Sequence, residues 1–314
     1  MTSSPATVMS RTEIVPGIVE LVLRPQRAPT IPPGSHIDVT VPLPGGTETR
    51  SYSLVDLGRA DGCYRIAVRL DENGRGGSRW MHTLQPGATV EVTDPISNFA
   101  PSPGGQPSVL LAGGIGITPI VGLARALRAA GAEPRIIYTG RSRDQMAFVE
   151  HLEREHPGQV TVVESDLGTH LDADDVVAEV PDDGVLYVCG PVGLLTAVGR
   201  AWERSGRPAA NLRFETFGTS GEPSTPFRVE VPARGLSVDV PQETSILDAL
   251  EAAGVEMMYS CRRGECGLCR VAVLAADGEL DHRDVFLSER QQAEGRMLCS
   301  CVSRTTGTSL TIAV

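Results

Sequence analysis

Leu110-Leu-Ala-Gly113-Gly114-Ile-Gly116-Ile-Thr118-Pro119 decides the architecture of the middle of this chain: an apolar run, three glycines, then a threonine and a proline. Proline suits the first helical position and a threonine just before it can cap the first turn, so the segment reads as strand, glycine turn and helix start. Such a start offers unpaired amides and the positive end of the helix dipole, where a pyrophosphate would lie. Glycines also serve tight strand-to-helix packing, so the turn alone leaves both roles open.

Outward from this turn, residues 109–112, 135–139, 160–163 and 185–189 read as strands, and residues 119–130, 146–156 and 194–205 as helices. Strands alternating with helices imply a parallel, doubly wound sheet. Arg141-Ser142-Arg143 follows the second strand, where an adenosine ribose or phosphate would arrive, and Cys189-Gly190-Pro191 ends a later strand at the same sheet edge. Taken singly, the first is equally a solvated basic turn and the second a buried core thiol.

Two proline- and glycine-rich joints, residues 101–107 and 218–226, flank this region. Before the first, short β-rich runs at 17–23, 35–41, 64–70 and 88–92 are separated by turn residues and read as a small antiparallel barrel. Within it, Arg50-Ser51-Tyr52-Ser53 puts Arg50 and Tyr52 on one face of a strand, able to address one ligand. Gly74-Arg-Gly76-Gly77-Ser78 opens a short helical pattern over 79–84, a second place for a phosphate. Together, and beside a dinucleotide-type domain, the two segments point to a flavin.

After the second joint come a strand pair at 227–231 and 236–240, a helix at 245–253, a cysteine loop and a last strand at 309–313. Cys261-Arg-Arg-Gly-Glu-Cys266-Gly-Leu-Cys269 has the four-then-two spacing of plant-type 2Fe-2S loops, with a fourth cysteine expected downstream. Gly264 and Gly267 stand where a side chain would obstruct the curl of backbone round a cluster. Counting does not choose between Cys299 and Cys301 as the fourth ligand. Four cysteines would also satisfy a structural zinc, although zinc ribbons favour two pairs of two-residue knuckles.

Length and composition agree with several modules. The 314 residues suggest two or three compact units, and 41% hydrophobic with 21% charged residues is ordinary for a globular chain. A net charge of -11 argues against a nucleic-acid partner, which would need a basic face. The longest apolar stretch, residues 108–124, is broken by glycines and Pro119, so no membrane span is expected, and residues 1–6 lack the pattern of a secretory signal. Five of seven cysteines crowd into the last 54 residues, which suits a bound metal in a reducing cytoplasm better than a disulfide framework. The six histidines show no metal-ligand spacing.

In order, Arg50-Ser-Tyr-Ser53, Gly76-Gly-Ser78, Gly113 to Pro119, Cys189-Gly-Pro191, Glu215-Thr-Phe-Gly218 and the cysteine loop make the chain resemble the phthalate dioxygenase reductase family, which includes vanillate demethylase reductases, from about residue 10 onward. The resemblance implies an FMN-binding, ferredoxin-reductase-like antiparallel β-barrel over 1–104 and an α/β doubly wound NAD-binding domain over 105–220. It further implies a linker at 221–225 and an α+β plant-type ferredoxin (β-grasp) domain over 226–314. It assigns Arg50, Ser51, Tyr52, Ser53, Val68, Gly76, Gly77 and Ser78 to FMN, with Phe217 packing on the flavin ring. It assigns Gly113, Gly114, Gly116, Thr118, Arg141, Ser142, Cys189, Gly190 and Pro191 to the nicotinamide nucleotide. Ser53, Thr118, Cys189 and Glu215 become the candidate catalytic residues. Cys301-Val-Ser-Arg304 matches the family's end motif, as does Asp281-His-Arg-Asp284, which makes Cys301 the fourth cluster ligand beside Cys261, Cys266 and Cys269; the gap before it is stretched by an apparent insertion at 275–278.

The implied activity is a monomeric NADH-dependent reductase that passes electrons through FMN and a 2Fe-2S cluster to a Rieske oxygenase or a cytochrome P450. Arg141 and Arg143 would suit the 2'-phosphate of NADPH, whereas the family favours NADH. The alternatives are a non-catalytic electron-transfer subunit fed by another protein and a zinc-stabilised redox-sensing module. Met257, Met258 and Tyr259 are either an apolar contact beneath the cluster or a docking face, and Arg262 and Arg263 either meet an acidic partner or are solvated.

Overall fold

The computed structural model describes all residues except 1–2, 28–29, 44–45, 59–60, 73, 75, 103, 218–223 and 243. The chain divides into two compact units, one comprising residues 1–194 and 201–215, the other residues 195–200 and 216–314. Most of the joint at 218–226, and with it residues 221–223 of the expected linker, lies outside the described residues.

The first unit opens with β1 (Ser3–Val15), β2 (Ile18–Pro25), β3 (Ser35–Leu43), β4 (Gly46–Ser53), β5 (Tyr64–Arg69), the helix α1 (Gly77–Thr83), β6 (Thr89–Thr93) and β7 (Ile96–Ser97). The strands pair antiparallel in the order β4-β3-β6-β1-β2-β5, with β7 on β3. Just past β4, the Val55 amide donates to the Arg65 carbonyl of β5 (2.8 Å), joining the two ends of the path into a barrel. Alternation along the strands fills its interior with Val19, Leu21, Leu23, Ile37, Val39, Val41, Ile66 and Val68, all buried. Each such aliphatic side chain contributes about 1.5–3 kcal/mol by leaving water. The 13-residue β1 has no reading among the sequence expectations: its pattern is mostly polar, and only its long pairing with β2 makes it a strand.

The same unit continues through β8 (Ser108–Gly113), α2 (Ile117–Ala129), β9 (Arg135–Gly140), α3 (Val149–Glu155), β10 (Val160–Glu164), α4 (Ala173–Ala178), β11 (Val185–Cys189), α5 (Val192–Ser205, whose residues 195–200 group with the other unit) and β12 (Leu212–Glu215). All five strands are parallel, in the order β10-β9-β8-β11-β12. The chain order reverses at β8, the first strand of the sheet. Buried residues of α2, among them Ile117, Ile120, Val121, Leu123 and Ala124, join one cluster with Ile18, Val55 and Ala67 of the barrel region and Leu110 and Tyr138 of the sheet. A helix apolar on nearly every side is what a position between two layers requires.

Two boundaries differ from the sequence reading. The helix after the glycine turn starts at Ile117, preceded by a single 3-10 turn over Gly114–Gly116, so Thr118 lies inside the helix and does not cap it; its hydroxyl donates to the Ile115 carbonyl instead (3.0 Å). The helix expected over 146–156 begins only at Val149, because Met146 folds beneath β9: a Cβ on Gly140 would stand 2.6 Å from Met146 Cγ.

The second unit contains β13 (Phe227–Val231), β14 (Leu236–Val240), α6 (Ile246–Ala252), β15 (Arg270–Ala276), β16 (Leu280–Asp281), α7 (Glu289–Glu294), β17 (Met297–Cys299), β18 (Arg304–Thr305) and β19 (Ser309–Ala313). Its main sheet runs β14-β13-β19-β15-β17, with β13 and β19 parallel and the other pairs antiparallel. Residues 275–276 extend β15 past a bulge, and the Asp277 amide donates to the Ser309 carbonyl (3.0 Å), so the stretched region is a longer hairpin between strand and turn. Arg304 is buried, its guanidinium donating to the carbonyls of Thr225, Pro241 and Thr244 and lying over the Phe227 ring. Among the described residues no helix is long and apolar enough to cross a membrane.

The turns after β8 and β11 touch so closely that glycine is obligatory. A Cβ on Gly116 would stand 2.2 Å from the Cys189 carbonyl oxygen, and one on Gly113 2.8 Å from Pro191 and Leu194 side-chain atoms. Gly116→Ala is therefore expected to destabilise the chain by about 1–3 kcal/mol, read as a lower urea midpoint for cofactor-free protein with an unchanged slope.

Candidate functional site

The carboxyl ends of β8, β9, β10 and β11 face a cleft of about 530 Å³ within the first unit. Of the expected nucleotide residues, Gly113, Gly114, Arg141 and Pro191 line it. Gly114 is the glycine open to it: at φ +55°, its added Cβ would meet only the Arg69 guanidinium, at 3.9 Å. Gly116 and Gly190 instead hold the two turns together, a Cβ on Gly190 coming 2.9 Å from Leu194 and 3.1 Å from the Gly113 backbone. The Ser142 hydroxyl is spent on Asp144 (2.5 Å), and Arg143 is drawn toward α3 by Glu153 (2.5 Å) while its amide donates to Glu164 (2.8 Å). Arg141 thus remains the cleft's cation on the sheet side.

On the opposite wall stands Arg69, which the sequence expectations missed. Its local sequence carries no signal; pairing of Ile18 with Arg69 across β2 and β5 brings it to the cleft beside Gly17. Tyr138 was also missed. It is buried in β9 and its hydroxyl donates to the Gly114 carbonyl (3.1 Å), pinning the turn, and burial pushes its phenol well above the usual range.

Three of the four candidate catalytic residues converge. Ser53, at the end of β4, donates its hydroxyl to Glu215 Oε2 (3.2 Å), and both side chains are buried. Glu215 ends β12 directly beside Cys189 in the parallel register. The fourth, Thr118, is buried in the first turn of α2, two residues beyond the Gly116 that meets Cys189. A carboxylate is expensive to bury, so the site keeps it at a location where packing would favour an apolar residue.

The flavin motif divides by strand face. Arg50 packs across the start of α1, since a Cβ on Gly77 would lie 3.1 Å from its Nε, and it pairs with Glu48. Tyr52 shares that face, and burial pushes its phenol up to about 12, so it stays a neutral ring at physiological pH. Ser51 points the other way, donating to Asp38 Oδ1 of β3 (2.5 Å). The Ser78 hydroxyl accepts from the Asp71 amide (3.0 Å), and Gly76 supplies the left-handed entry to α1 at φ +98°. The Val68 side chain is part of the barrel core, and its carbonyl lies 2.9 Å from His82 Nε2. A guanidinium beside a side-chain-free helix start fits a flavin phosphate, and a flat neutral phenol fits a flavin ring.

In the second unit, the amides of Arg263, Glu265 and Cys266 all point at Cys261 Sγ, each at 3.4 Å. Burial pushes the Cys261 thiol up while these three amides pull it down. Cys269 lies 3.2 Å from Cys301, sulfur to sulfur. Hydrogen bonds with Cys299 and Cys301 hold Cys269 far below the usual thiol range and push those two up. Cys301 also receives the Gly264 amide and feels Cys261, whereas Cys299 sits fully buried in β17 and feels Asp284. Gly264 and Gly267 behave as expected: at φ +75° and +67°, their added Cβ atoms would strike Val302 (2.7 Å) and the Phe286 ring (2.4 Å). Backbone donors around sulfur and a loop free of obstructing side chains fit a 2Fe-2S cluster.

Further residues of this loop have structural partners. Glu265 is buried, its carboxylate accepting from the Thr216 amide (2.6 Å) and hydroxyl (2.9 Å); burial pushes its carboxyl up, with Arg263 and Thr216 opposing. Arg263 is also largely buried, so it does not form part of a solvated basic face. Met257 packs against both cores of the unit, while Met258 is 73% exposed. Phe217, expected on the flavin ring, belongs to the second unit, where it is 37% exposed.

Comparison with known proteins agrees with both halves of this description. Residues 5–100 match the family model described as an oxidoreductase FAD-binding domain, and residues 229–306 the 2Fe-2S iron-sulfur cluster binding domain. The phthalate dioxygenase reductase of Burkholderia cepacia is 35% identical over 297 residues, covering 92% of this chain and 90% of that protein. A solved phthalate dioxygenase reductase, described as a modular structure for electron transfer from pyridine nucleotides to [2Fe-2S], superimposes with TM-score 0.73 at 31% identity, covering 99% of this chain and 98% of that one. An intact type IV self-sufficient cytochrome P450 monooxygenase matches at TM-score 0.69 and 37% identity; 99% of this chain corresponds to 41% of that longer one. On the strength of the near-complete match to the Burkholderia reductase, with a flavin barrel and a cluster domain in the same order, this chain belongs to the phthalate dioxygenase reductase family of flavin- and 2Fe-2S-containing oxidoreductases.

Proposed function

We propose that this protein, acting as a cytoplasmic monomer, passes electrons from NADH through FMN and a 2Fe-2S cluster to a terminal oxygenase, either a Rieske oxygenase or a cytochrome P450. The observation that carries the reading is the buried Ser53–Glu215 bond with Cys189 on the neighbouring strand, beside a cleft built for a dinucleotide. The class of acceptor rests on the relatives, a dioxygenase reductase and a P450 monooxygenase. When bound, a flavin takes the electron pair of a nicotinamide hydride and releases it one electron at a time, as an iron-sulfur centre requires.

The chain's own residues then have separate tasks. Arg69, Arg141 and the Gly114 turn hold the dinucleotide's phosphates; Pro191 shapes the floor of the cleft. Arg50, Gly76, Gly77 and Ser78 hold the FMN phosphate, Tyr52 covers the ring, and Ser53 hydrogen-bonds its reactive edge, oriented by Glu215. Cys189 and Thr118 close the apolar side of the hydride path. Placement within a fraction of an ångström is their contribution, and no side chain is asked to act as acid or base. FMN rather than FAD follows the resemblance carried by Arg50-Ser-Tyr-Ser53, and flavin released by heat and identified by mass distinguishes them.

Preference for NADH has support in the ion pair of Arg143 with Glu153, which removes one of the two cations that could greet a 2'-phosphate. Glu153→Gln is expected to lower KM for NADPH by up to about fivefold with KM for NADH little changed, in steady-state assays with an artificial acceptor.

Cys301 is the fourth cluster ligand on the strength of its contacts with both Cys269 and the Gly264 amide. Cys301→Ser is expected to lose most bound iron and the red-brown absorbance, whereas Cys299→Ala keeps two irons and two sulfides per chain; the reverse result would transfer the role to Cys299.

Anaerobic titration with NADH, following flavin and cluster bands separately, tests the whole scheme. Flavin bleaching followed by cluster bleaching is expected. A cluster that stays oxidised beside reduced flavin, or iron absent in favour of zinc, would defeat it.

A further inference from the structure

Arg262, the residue after the first cysteine, is one of two non-glycine residues among those described with a left-handed backbone, at φ +52°. An ordinary side chain pays for that conformation, so something must hold it there. The same turn aims the following amides back at the sulfur behind it: Arg263, Glu265 and Cys266 reach Cys261 Sγ at 3.4 Å each.

Three contacts grip the Arg262 side chain. Its guanidinium carbon stands 3.9 Å over the centre of the Tyr259 ring. One nitrogen donates to Asp248 and another to Glu251 Oε2 at 2.6 Å, both acids on α6. Asp248 is itself fixed, because Ser245 caps α6 by accepting from the Asp248 amide (3.0 Å) and donates to its carboxylate (2.6 Å). A forked guanidinium stacked on an aromatic and shared between two carboxylates is a far more directional anchor than an ammonium would be. The side chain is therefore held by three contacts within the protein, while 38% of it stays exposed.

We propose that Arg262 is a positioning residue that sets the reduction potential of the cluster, by clamping the left-handed turn to helix α6 and so holding three amides on the Cys261 sulfur. Hydrogen bonds to ligand sulfur withdraw electron density and favour the reduced cluster. Releasing the clamp lets the turn relax, lengthens those bonds and lowers the potential. The inference rests on the proposed function only in requiring that a 2Fe-2S cluster binds at this loop.

The test uses the full chain with its cluster. Arg262→Gly removes the clamp at a residue type at ease with positive φ, so the loop can still close on iron. Iron and sulfide content should match the wild type, while the midpoint potential in a dithionite titration falls and the EPR signal of the reduced cluster changes its g values. Arg262→Lys should fall in the same direction by less. A second arm leaves residue 262 untouched: the pair Asp248→Asn with Glu251→Gln loosens the anchor from the helix side and should also lower the potential. Wild-type potential and g values in that pair, or in Arg262→Gly, overturn the assignment. Failure of the wild-type chain itself to take up iron and sulfide would instead overturn the proposed function.

Discussion

The close crossing of two turns at neighbouring strand ends governs the first unit. Where β8 and β11 finish, the backbone of Gly116 lies against the Cys189 carbonyl, with no room for a β-carbon. That contact draws the start of α2 down onto the sheet edge and leaves the Gly114 turn facing outward to the cleft. Tyr138 ties the same turn to β9 through the Gly114 carbonyl. Were the crossing looser, the amides at the helix start and the Cys189–Glu215 strand ends would lie at different levels, and no single ligand could address both.

The barrel contributes to this edge by a polar bond. Ser53 reaches Glu215 at the end of the last strand of the sheet, and both side chains are buried. A buried hydroxyl–carboxylate pair adds little net stability against an apolar substitute. The cysteine loop follows the opposite economy. There the backbone itself provides the donors, Gly264 and Gly267 leave room for Val302 and Phe286, Arg263 and Glu265 are turned inward, and Arg262 grips α6 at the surface.

Much of this architecture was legible because it is local. Strand runs at 35–41, 64–70 and 185–189 carry their own periodicity, and the cysteine spacing is a chemical constraint written into consecutive residues. What was misread is what tertiary contacts decide. Thr118 has the chemistry of a cap, but the 3-10 turn over Gly114–Gly116 starts the helix before it. β1 and β12 are strands by virtue of their neighbours. Ser142 and Arg143 follow a strand as a ligand-binding pair would, yet Asp144 and Glu153 occupy them. Arg69 and Tyr138 have no motif; long-range register brings Arg69 to the cleft and Tyr138 beneath the Gly114 turn.

By itself, then, the amino-acid order determined three kinds of module, the identity of the metal-binding loop and the segments that would meet a flavin and a dinucleotide, because glycine turns, cysteine spacing and strand alternation are short-range constraints. Only the tertiary structure decided which glycines open to the cleft and which abut backbone, that Glu215 answers Ser53 across 162 positions, and that Arg262 ties the cysteine loop to α6. Those outcomes depend on distances between residues far apart in the chain, set by strand register and helix packing, and no local pattern encodes them.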